Sequence, residues 1–433
     1  WRLENDILAN IEKIQNLADC DPKEPSAASV SLFKKLNAVL NSIDRLEVRG
    51  RDSAGISILF IFKEADFQKG QDTLEQAGHL VQFNERCDPD PLVNGGINVR
   101  PSTRANGKKQ VAVAVTYKVA LEIGSLGDNV DYLRRQIAND AVFQILATIP
   151  ADFDTVLAHT RWASVGAITE ANCHPVDNNA SGSKSAICGI IHTCLNGDID
   201  NFQRLKVELE RLDTQIHNDI TTDTKIIPLK IQQYVHQGHA IDEAFRLTVN
   251  DFEGSHAISM HTDLAPGKLF LAQRGSGQAI FVGIADEHYM ASSEVYGFVE
   301  ETPYYLKLDG EKTITGKQGR TQGQIFVLDQ TGDGGLDGIN ACYYDGTPLV
   351  LTESDIKYTE ITTRDIDRQN FPHYFLKEIS ESPASVDKTL QNRWKFKEDD
   401  PSQYTIALDE TIISQSLQKA LTTDQIKRIF FIV

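Results

Sequence analysis

Residues 46–62 read LEVRGRDSAGISILFIF, a polar loop that contains glycine and is followed at once by an apolar run. The run at 55–62 is rich in β-branched and aromatic residues, which is typical of a buried strand. Directly before the loop, apolar residues recur at helical spacing over 27–46, so we expect a helix with one buried face. Function commonly lies in polar loops held between regular elements, and 46–55 is therefore the first candidate site segment.

The sequence around this stretch predicts further helices and strands. Residues 2–18 have helical periodicity, after which prolines mark a break. Residues 64–108 are polar, with clusters of Gly, Pro, Asn and Asp, and we predict an irregular insertion on the surface. A strand over 110–119 and a helix over 129–148 are expected to follow.

From about residue 155 the pattern changes to short apolar strands separated by turns, with helices expected at 201–213, 224–236 and 241–250. Many strands with a few helical layers predict an α+β sandwich of sheets and helices. Beyond about 360 we expect two more helices, in FPHYFLKEISESPASVDKTLQNRW and ETIISQSLQKALT, and then a strand, IKRIFFIV, at 426–433. We expect this strand to open another domain.

The composition excludes several classes of protein. The 433 residues include 43 basic and 61 acidic side chains, and the net charge of −18 argues against binding to a nucleic-acid backbone. No apolar run approaches the roughly 20 residues needed to cross a bilayer, and no signal-peptide pattern opens the chain. Six scattered cysteines without a CxxC pair favour reduced thiols and a cytoplasmic location, and they show no zinc spacing. We therefore expect no nucleic-acid and no membrane partner.

Three further polar segments are bounded by predicted strands or open a predicted helix. They are AHTRWASVGAITEANCHP at 158–175, HTCLNGDIDNF at 192–202 and TTDTK at 221–225. Together with LEVRGRDSAG, and in this order, they resemble the class II glutamine amidotransferases, in particular the glucosamine-6-phosphate synthase branch. Later segments continue the resemblance, among them EGSHAISM, KLFLAQRGSG, YMASSEVYGFVEETPYYLKLDGE and FPHYFLKEISESP. The resemblance covers nearly the whole chain apart from 1–25 and 64–108.

The resemblance implies an N-terminal-nucleophile hydrolase fold over 1–358, a four-layer sandwich of helices, two antiparallel sheets and helices. It also implies a linker over 359–375 and, over 376–433, the opening helices and first strand of a sugar-isomerase α/β domain. The implied reaction is hydrolysis of L-glutamine to glutamate and ammonia, followed by transfer of the ammonia to a keto-sugar phosphate on the isomerase domain. A homo-oligomer is expected, and no metal or organic cofactor is called for.

Four residues match the glutamine pocket of the family. Asn196 and Gly197 match the pair whose amide and backbone N–H donate to the oxyanion, although Asn-Gly taken alone is more often a hairpin turn. Arg161 matches the arginine that binds the substrate α-carboxylate, for which a guanidinium fork is suited; an isolated arginine is commonly in a surface ion pair. Asp223 matches the aspartate that holds the α-ammonium, and an acid there is also favourable to the helix dipole.

Other positions match with supporting roles. Trp162 matches a tryptophan near the ammonia path, although an isolated tryptophan is more often part of a core. Arg49 matches an arginine that shapes the site around the nucleophile, and Ser164 keeps a hydroxyl where the family usually has threonine. His174 aligns with a histidine for which we expect an architectural role. Val165 replaces a histidine that is common in the family, which we interpret as tuning of the pocket.

The family's nucleophile is an amino-terminal cysteine whose free α-amine serves as the base, and it has no match in this sequence. Position 1 is Trp1, and Cys20 lies in an acidic, proline-rich turn without the expected strand. One hypothesis places a cysteine-bearing strand upstream, with 1–25 as an extra helix after it. A second is a non-catalytic regulatory module that binds glutamine or a sugar phosphate. A third is a structural, oligomerising unit that uses 64–108 and the N-terminal helix as interaction surfaces. The intact pocket residues favour the first.

Overall fold

The structure is a computed structural model. The chain folds into two compact units, unit 1 (Trp1–Asp365) and unit 2 (Ile366–Val433). Each unit is described by itself. The residues described are 2–18, 26–47, 50–88, 91–103, 107–120, 127–162, 166–180, 188–317, 319–332, 334–367, 371–372, 374–390, 394–397, 400–406, 414–423 and 425–428.

Unit 1 mixes helices and strands along the chain. A π-helical segment, Arg2–Leu8, opens it. Its helices are α1 (Ala9–Leu17), α2 (Ala27–Leu46), α3 (Glu64–Gln76), α4 (Leu80–Glu85), α5 (Asp128–Asn139), α6 (Ala141–Leu146), α7 (Phe202–Glu210), α8 (Ile226–His236) and α9 (Ile241–Asp251), with α10 (Thr363–Ile366) at its boundary. Its strands are β1 (Ser53–Lys63), β2 (Ile97–Thr103), β3 (Lys109–Val119), β4 (Ala151–Arg161), β5 (Ile191–Gly197), β6 (His256–Thr262), β7 (Lys268–Arg274), β8 (Phe281–Ile284), β9 (Tyr289–Ser292), β10 (Tyr304–Lys307), β11 (Thr313–Gly316), β12 (Gly319–Gln322), β13 (Gln324–Asp329), β14 (Ile339–Tyr343) and β15 (Lys357–Tyr358).

The strands pair antiparallel throughout the described sheets. The first sheet has the order β2-β3-β1-β4 and the second the order β14-β13-β7-β6-β5. A smaller sheet has the order β15-β10-β8-β9, and β11 and β12 form a hairpin. The two large sheets supply β4 and β5, the strands whose ends carry two of the predicted site segments.

Both faces of β1 are buried, which places the first sheet between a helical layer and the second sheet. On one face Phe60 packs against Phe143 of α6, with 6.2 Å between ring centroids. On the other face the Ser57 hydroxyl hydrogen-bonds to His192 Nδ1 of β5 at 2.8 Å and to His261 Nε2 of β6 at 3.2 Å. A strand buried on both sides has to be apolar along most of its length, and this explains the run at 55–62.

Helices cover the opposite face of the second sheet. Met260 of β6 and Phe270 of β7 belong to one core cluster with Leu229 of α8 and Phe245 of α9. The rings of Phe245 and Phe270 lie 5.3 Å apart. The layers therefore run helices, sheet, sheet, helices, and the predicted α+β sandwich is confirmed. The predicted strand at 55–62 and helix at 27–46 are confirmed as β1 and α2.

The prediction that residues 64–108 are irregular is wrong. The described part of this segment forms α3, α4 and the edge strand β2, which pairs with β3. Phe67 and Phe83 from the two helices join the main core cluster. These elements are difficult to predict from the sequence because few of their residues are buried. Each helix buries only a narrow face, and β2 is buried only at its start. Whether the segment is an insertion relative to the family stays a prediction.

The helix predicted over 129–148 is divided into α5 and α6. Asp140 separates the two, and its Oδ1 accepts hydrogen bonds from Val142 N at 3.1 Å and Phe143 N at 3.2 Å. An aspartate in this position caps a helix because it satisfies N–H groups that have no partner within the first turn. Asp140 could therefore have indicated the break between the two helices. The apolar residues on both sides keep helical spacing, and for this reason one continuous helix was predicted.

Unit 2 contains α11 (Tyr374–Leu390), β16 (Trp394–Lys397), β17 (Asp400–Ile406) and α12 (Gln415–Thr422). The two helices were predicted, and the hairpin of β16 and β17 was not. The strand predicted at 426–433 lies mostly outside the described residues. The assignment of this unit to a sugar-isomerase domain stays a prediction. Among the helices described in either unit, none combines the length and apolar character that a membrane crossing requires.

Glu300 joins the N-terminal helix α1 to α2 through a cluster of buried polar contacts. Its Oε1 accepts a hydrogen bond from Asn10 Nδ2 at 2.7 Å, and its Oε2 accepts from Asn41 Nδ2 at 3.0 Å and Arg45 at 2.6 Å. Burial raises the pKa of Glu300, but Arg45 and Asn10 outweigh burial, and the pKa lies below its usual value. The stability that the carboxylate contributes is therefore present above the pKa of an unfolded glutamate, about 4.3, and is lost as the pH falls through the lower folded value.

Replacing Glu300 by alanine should lower the free energy of unfolding by about 2 kcal/mol at pH 7, because the partly buried Arg45, Asn10 and Asn41 then lose a charged partner. The control Glu311→Ala removes an exposed carboxylate and should change the free energy by less than about 0.5 kcal/mol. Urea denaturation of the two variants measures the difference. Equal unfolding free energies would contradict a stabilising role for the cluster.

Candidate active site

A cavity of about 1010 Å³ lies in unit 1 where β4 and β5 end. Six of the residues predicted from the sequence line it together: Arg161, Trp162, His174, Asn196, Gly197 and Asp223. They come from segments that are far apart in the chain. The fold thus brings the predicted pocket residues to one place.

Arg161 is the last residue of β4 and is only 4% exposed. Its backbone is fixed by pairing with Ser53 of β1 and by a hydrogen bond from Asp52 N to its carbonyl oxygen at 3.1 Å. The guanidinium Nη1 donates to Ala167 O at 3.2 Å. The alternative of a surface ion pair is wrong because the residue is buried. Since a guanidinium stays protonated at ordinary pH, Arg161 gives the cavity a fixed positive charge.

Asp223 begins the 3₁₀ turn Asp223–Lys225 that leads into α8, and it is 6% exposed. Its Oδ2 accepts a hydrogen bond from Ile199 N at 3.0 Å. Burial raises the pKa of the carboxyl group, Asp198 adds to the rise, and Arg161 acts in the opposite direction. A cation placed beside this carboxylate would be favourable, because it would offset the cost of burying the charge. The predicted position of Asp223 at the start of a helix is confirmed, and its role toward an α-ammonium stays a prediction.

Asn196 and Gly197 end β5, where they pair with Ala257 and His256 of β6. Gly197 has φ of 97°, and a Cβ atom on it would lie 2.2 Å from Ser255 O. Glycine is therefore required here both for its backbone conformation and for the close approach of β6. The chain continues from Gly197 toward α7, so the alternative of a hairpin turn is wrong. The pair sits at a strand end beside the cavity, where its N–H groups can serve a ligand.

His174 is buried, and its two ring nitrogens have protein partners. Leu195 N donates to Nδ1 at 3.5 Å, and Nε2 lies 2.7 Å from Thr224 Oγ1. Burial, together with the nearby His159 ring at 4.6 Å, lowers the pKa of His174 well below its usual value. A neutral ring that accepts at Nδ1 carries its proton on Nε2 and donates it to Thr224. This arrangement favours the architectural role expected from the sequence.

Several predicted residues are placed differently or are not described. Trp162 is 73% exposed, so its interpretation as a core residue is wrong, and it lies at the edge of the cavity. Arg49 and Ser164 lie outside the described residues, as does Val165. Cys194 lines the cavity, but burial raises the pKa of its thiol, which makes it a poor nucleophile.

The cavity continues as a groove along β4. Residues 154–161 line it, together with the face of α2 that carries Ala38 and Ser42 and with Leu271 of β7 and Met290 of β9. In the described part of the chain, β4 lies at the end of its sheet and pairs with β1. This groove could not be predicted from the sequence because its walls come from elements that are distant along the chain.

Asn172 lies outside the cavity lining but supports the site, and no role was predicted for it from the sequence. It lies within the quoted segment 158–175, is fully buried, and hydrogen-bonds to the loop that precedes Asp223. Asn172 stands two residues before His174 in that segment, but the sequence alone indicates no role for it. The importance of Asn172 follows from its hydrogen bonds, which are seen only in the folded chain.

Comparison with known proteins identifies relatives of this chain. No family model matches it. The glutamine–fructose-6-phosphate aminotransferase of Sulfolobus acidocaldarius is 29% identical over 238 residues, which is 54% of this chain and 35% of the relative. The protein of the same name from Geobacillus kaustophilus is 28% identical over 262 residues, 60% of this chain and 37% of the relative. That from Bacillus licheniformis is 30% identical over 236 residues, 54% of this chain and 34% of the relative.

A solved structure also aligns with the chain. It is glutamine phosphoribosylpyrophosphate amidotransferase from B. subtilis in complex with ADP and GMP, with 15% sequence identity over 67% of this chain and 49% of that chain. Its TM-score of 0.36 is too low to support an inference about this protein. The similarity therefore rests on the sequence relatives. The matched region spans about a third of their length. The predicted resemblance is confirmed: over a little more than half of its residues, this chain is similar in sequence to the glutamine–fructose-6-phosphate aminotransferases.

Proposed function

We propose that unit 1 binds L-glutamine and hydrolyses it to glutamate and ammonia when an amino-terminal cysteine lies beside the cavity. The observation that carries the proposal is the single cavity lined by Arg161, Asp223, Asn196 and Gly197. Two buried charges of opposite sign stand beside a strand end that can donate hydrogen bonds. An α-amino acid is a small zwitterion, and this arrangement of charges complements it.

Recognition of the amino acid uses the two charges. In the proposed complex, Arg161 pairs with the α-carboxylate through two parallel N–H···O bonds, and Asp223 accepts hydrogen bonds from the α-ammonium. Both residues are almost fully buried, so these pairs form away from bulk water, where electrostatic attraction is stronger. The side-chain amide of glutamine is then directed toward Asn196 and Gly197. Selectivity for an α-amino acid follows because both charges must be satisfied at once.

Hydrolysis begins when the cysteine thiol, deprotonated by its own α-amine, attacks the side-chain amide carbon of glutamine. A carbon–sulfur bond forms, and the negative charge on the amide oxygen is stabilised by Asn196 Nδ2 and Gly197 N–H. The carbon–nitrogen bond then breaks, and ammonia leaves with the proton held by the α-amine. Water attacks the resulting thioester, which releases glutamate and returns the thiol. In this proposal, residues 1–433 supply the binding groups and the oxyanion donors, and the cysteine supplies the nucleophile and the base.

The groove along β4 supports the proposed place for the cysteine. Eight residues of β4, 154–161, line it, and an extended segment paired with them would be about 26 Å long. An extended peptide binds an exposed sheet edge by adding a strand, and apolar walls accept its alternate side chains. Because Arg161 ends β4, a strand in this groove has one end beside the predicted pocket. We propose that this end is the cysteine.

The use of the ammonia is a further part of the proposal. The relatives are named for glutamine and fructose 6-phosphate. We therefore propose that ammonia released in unit 1 aminates a keto-sugar phosphate on a sugar-isomerase domain that begins in unit 2. Exposed Trp162, at the edge of the cavity, is the candidate for the start of the ammonia path. A cytoplasmic homo-oligomer belongs to the same proposal.

One observation favours a second candidate function, a module that binds glutamine without hydrolysing it. Cys194 is the described thiol that lines the cavity, and its raised pKa makes it unsuited to attack an amide. In this second proposal the described residues supply the clamp, and the described thiol in the cavity lining is not reactive. The two functions differ in one respect, the presence of a free amino-terminal cysteine.

Arg161→Lys and Asp223→Asn should each weaken L-glutamine binding at least about 30-fold, because lysine cannot form the two parallel bonds to a carboxylate and asparagine lacks the charge that pairs with the α-ammonium. Isothermal titration of residues 1–433 with L-glutamine measures the dissociation constants. The controls Arg204→Lys and Asp242→Asn change exposed side chains in the same way and should leave the constants unchanged. Wild-type affinity in both pocket variants would overturn the proposed clamp.

Full-length protein should carry an unblocked cysteine at its mature amino terminus, as identified by mass spectrometry, and should release glutamate from glutamine. Replacing that cysteine by alanine should reduce glutamate release by at least about 1,000-fold and leave the dissociation constant for glutamine unchanged, because the thiol acts in the chemical step. A different terminal residue, combined with glutamine binding and no glutamate release, would establish the non-catalytic module instead.

A further inference from the structure

Asn172 lies between the two segments that carry the proposed clamp and is fully buried. Its Oδ1 accepts hydrogen bonds from Thr221 N at 2.7 Å and from Thr222 N at 2.9 Å. Its Nδ2 donates to Asp219 O at 3.0 Å and to Thr169 Oγ1 at 2.8 Å. One side chain therefore fixes the backbone over 219–222, the residues that lead directly to Asp223.

The same loop is connected to Arg161. The guanidinium donates to Ala167 O, and Ala167 N donates to Thr221 Oγ1 at 3.0 Å. Gly166 packs closely here, since a Cβ atom on it would lie 3.0 Å from both Thr221 Oγ1 and Thr222 N. A continuous series of hydrogen bonds thus runs from Arg161 through Ala167 and Thr221 to Asn172.

We propose that Asn172 is a positioning residue that sets the separation between Arg161 and Asp223, and thereby the selectivity for α-amino acids. The inference rests on the proposed function, in which these two residues bind the α-carboxylate and the α-ammonium. Both groups are attached to one carbon atom, so their separation is fixed, and the clamp has to match it. Small misplacements of binding groups lower affinity strongly because charge-assisted hydrogen bonds depend on geometry.

A purely structural role would have a different consequence. A buried asparagine that only holds a loop together lowers stability when it is removed but leaves ligand preference unchanged. Asn178 provides the comparison, because it is 2% exposed and hydrogen-bonds to Ile191 N, Gly189 O and Gln232. Like Asn172 it lies outside the cavity lining, but these hydrogen bonds of Asn178 do not involve the loop 219–222. Removing the Asn178 side chain should therefore lower stability, as removal of Asn172 does, but should leave the ligand preference unchanged.

The experiment compares binding of L-glutamine with binding of glutaramate, which is glutamine without its α-amino group. In residues 1–433, Asn172→Ala should reduce the preference for glutamine over glutaramate about tenfold, because Asp223 no longer sits at the matching distance. Thr221→Val, a nearly isosteric change on an exposed residue, should reduce it about threefold by breaking the contact with Ala167 N. Asn178→Ala should lower the melting temperature and keep the wild-type preference.

The outcomes separate this inference from the function on which it rests. If the wild-type chain fails to bind glutamine, the proposed function is overturned, and the positioning role with it. If wild type prefers glutamine and both Asn172→Ala and Thr221→Val keep that preference, the positioning role is overturned while the function stands. Should Asn172→Ala fail to fold, Thr221→Val decides the question.

Discussion

Burial of two ionised groups beside one cavity is the constraint on which the proposed site depends. Arg161 and Asp223 are both almost completely removed from water, and each bears the cost of lost hydration. The fold offsets part of that cost with backbone groups, since Ile199 N donates to Asp223 and Ala167 O accepts from Arg161. Burying charges in this way is costly to stability, and buried charges with shifted pKa values in a cavity are typical of functional sites.

The two sheets hold these charges in place from different directions. β4 ends at Arg161, β5 ends at Gly197, and the turn that carries Asp223 begins a helix on the far side of the second sheet. Close contacts keep the connecting segments together. A Cβ atom on Gly55 of β1 would lie 2.2 Å from His174 O, so glycine allows the segment containing His174 to lie against the first sheet. His174 in turn bonds to Thr224, next to Asp223.

Sequence reasoning succeeded where burial imposes a simple pattern and where motifs carry the chemistry. β1 is buried on both faces and α2 on one, so an unbroken apolar run and a helical period identify them. It failed for α3, α4 and β2 because these elements bury few apolar residues between polar ones. Arg161 and Asp223 were named from their motifs, whereas Asn172 was not, because its partners lie about fifty residues away along the chain. The groove along β4 likewise exists only once α2, β7 and β9 have come together.

A crystal structure of residues 1–433 with L-glutamine would show whether the two buried charges bind the amino acid. We expect the α-carboxylate within about 3 Å of the Arg161 guanidinium, the α-ammonium beside Asp223, and the side-chain amide oxygen near Asn196 and Gly197. Glutamine bound with its α-groups away from Arg161 and Asp223, or a cavity that stays empty at saturating glutamine, would contradict this expectation.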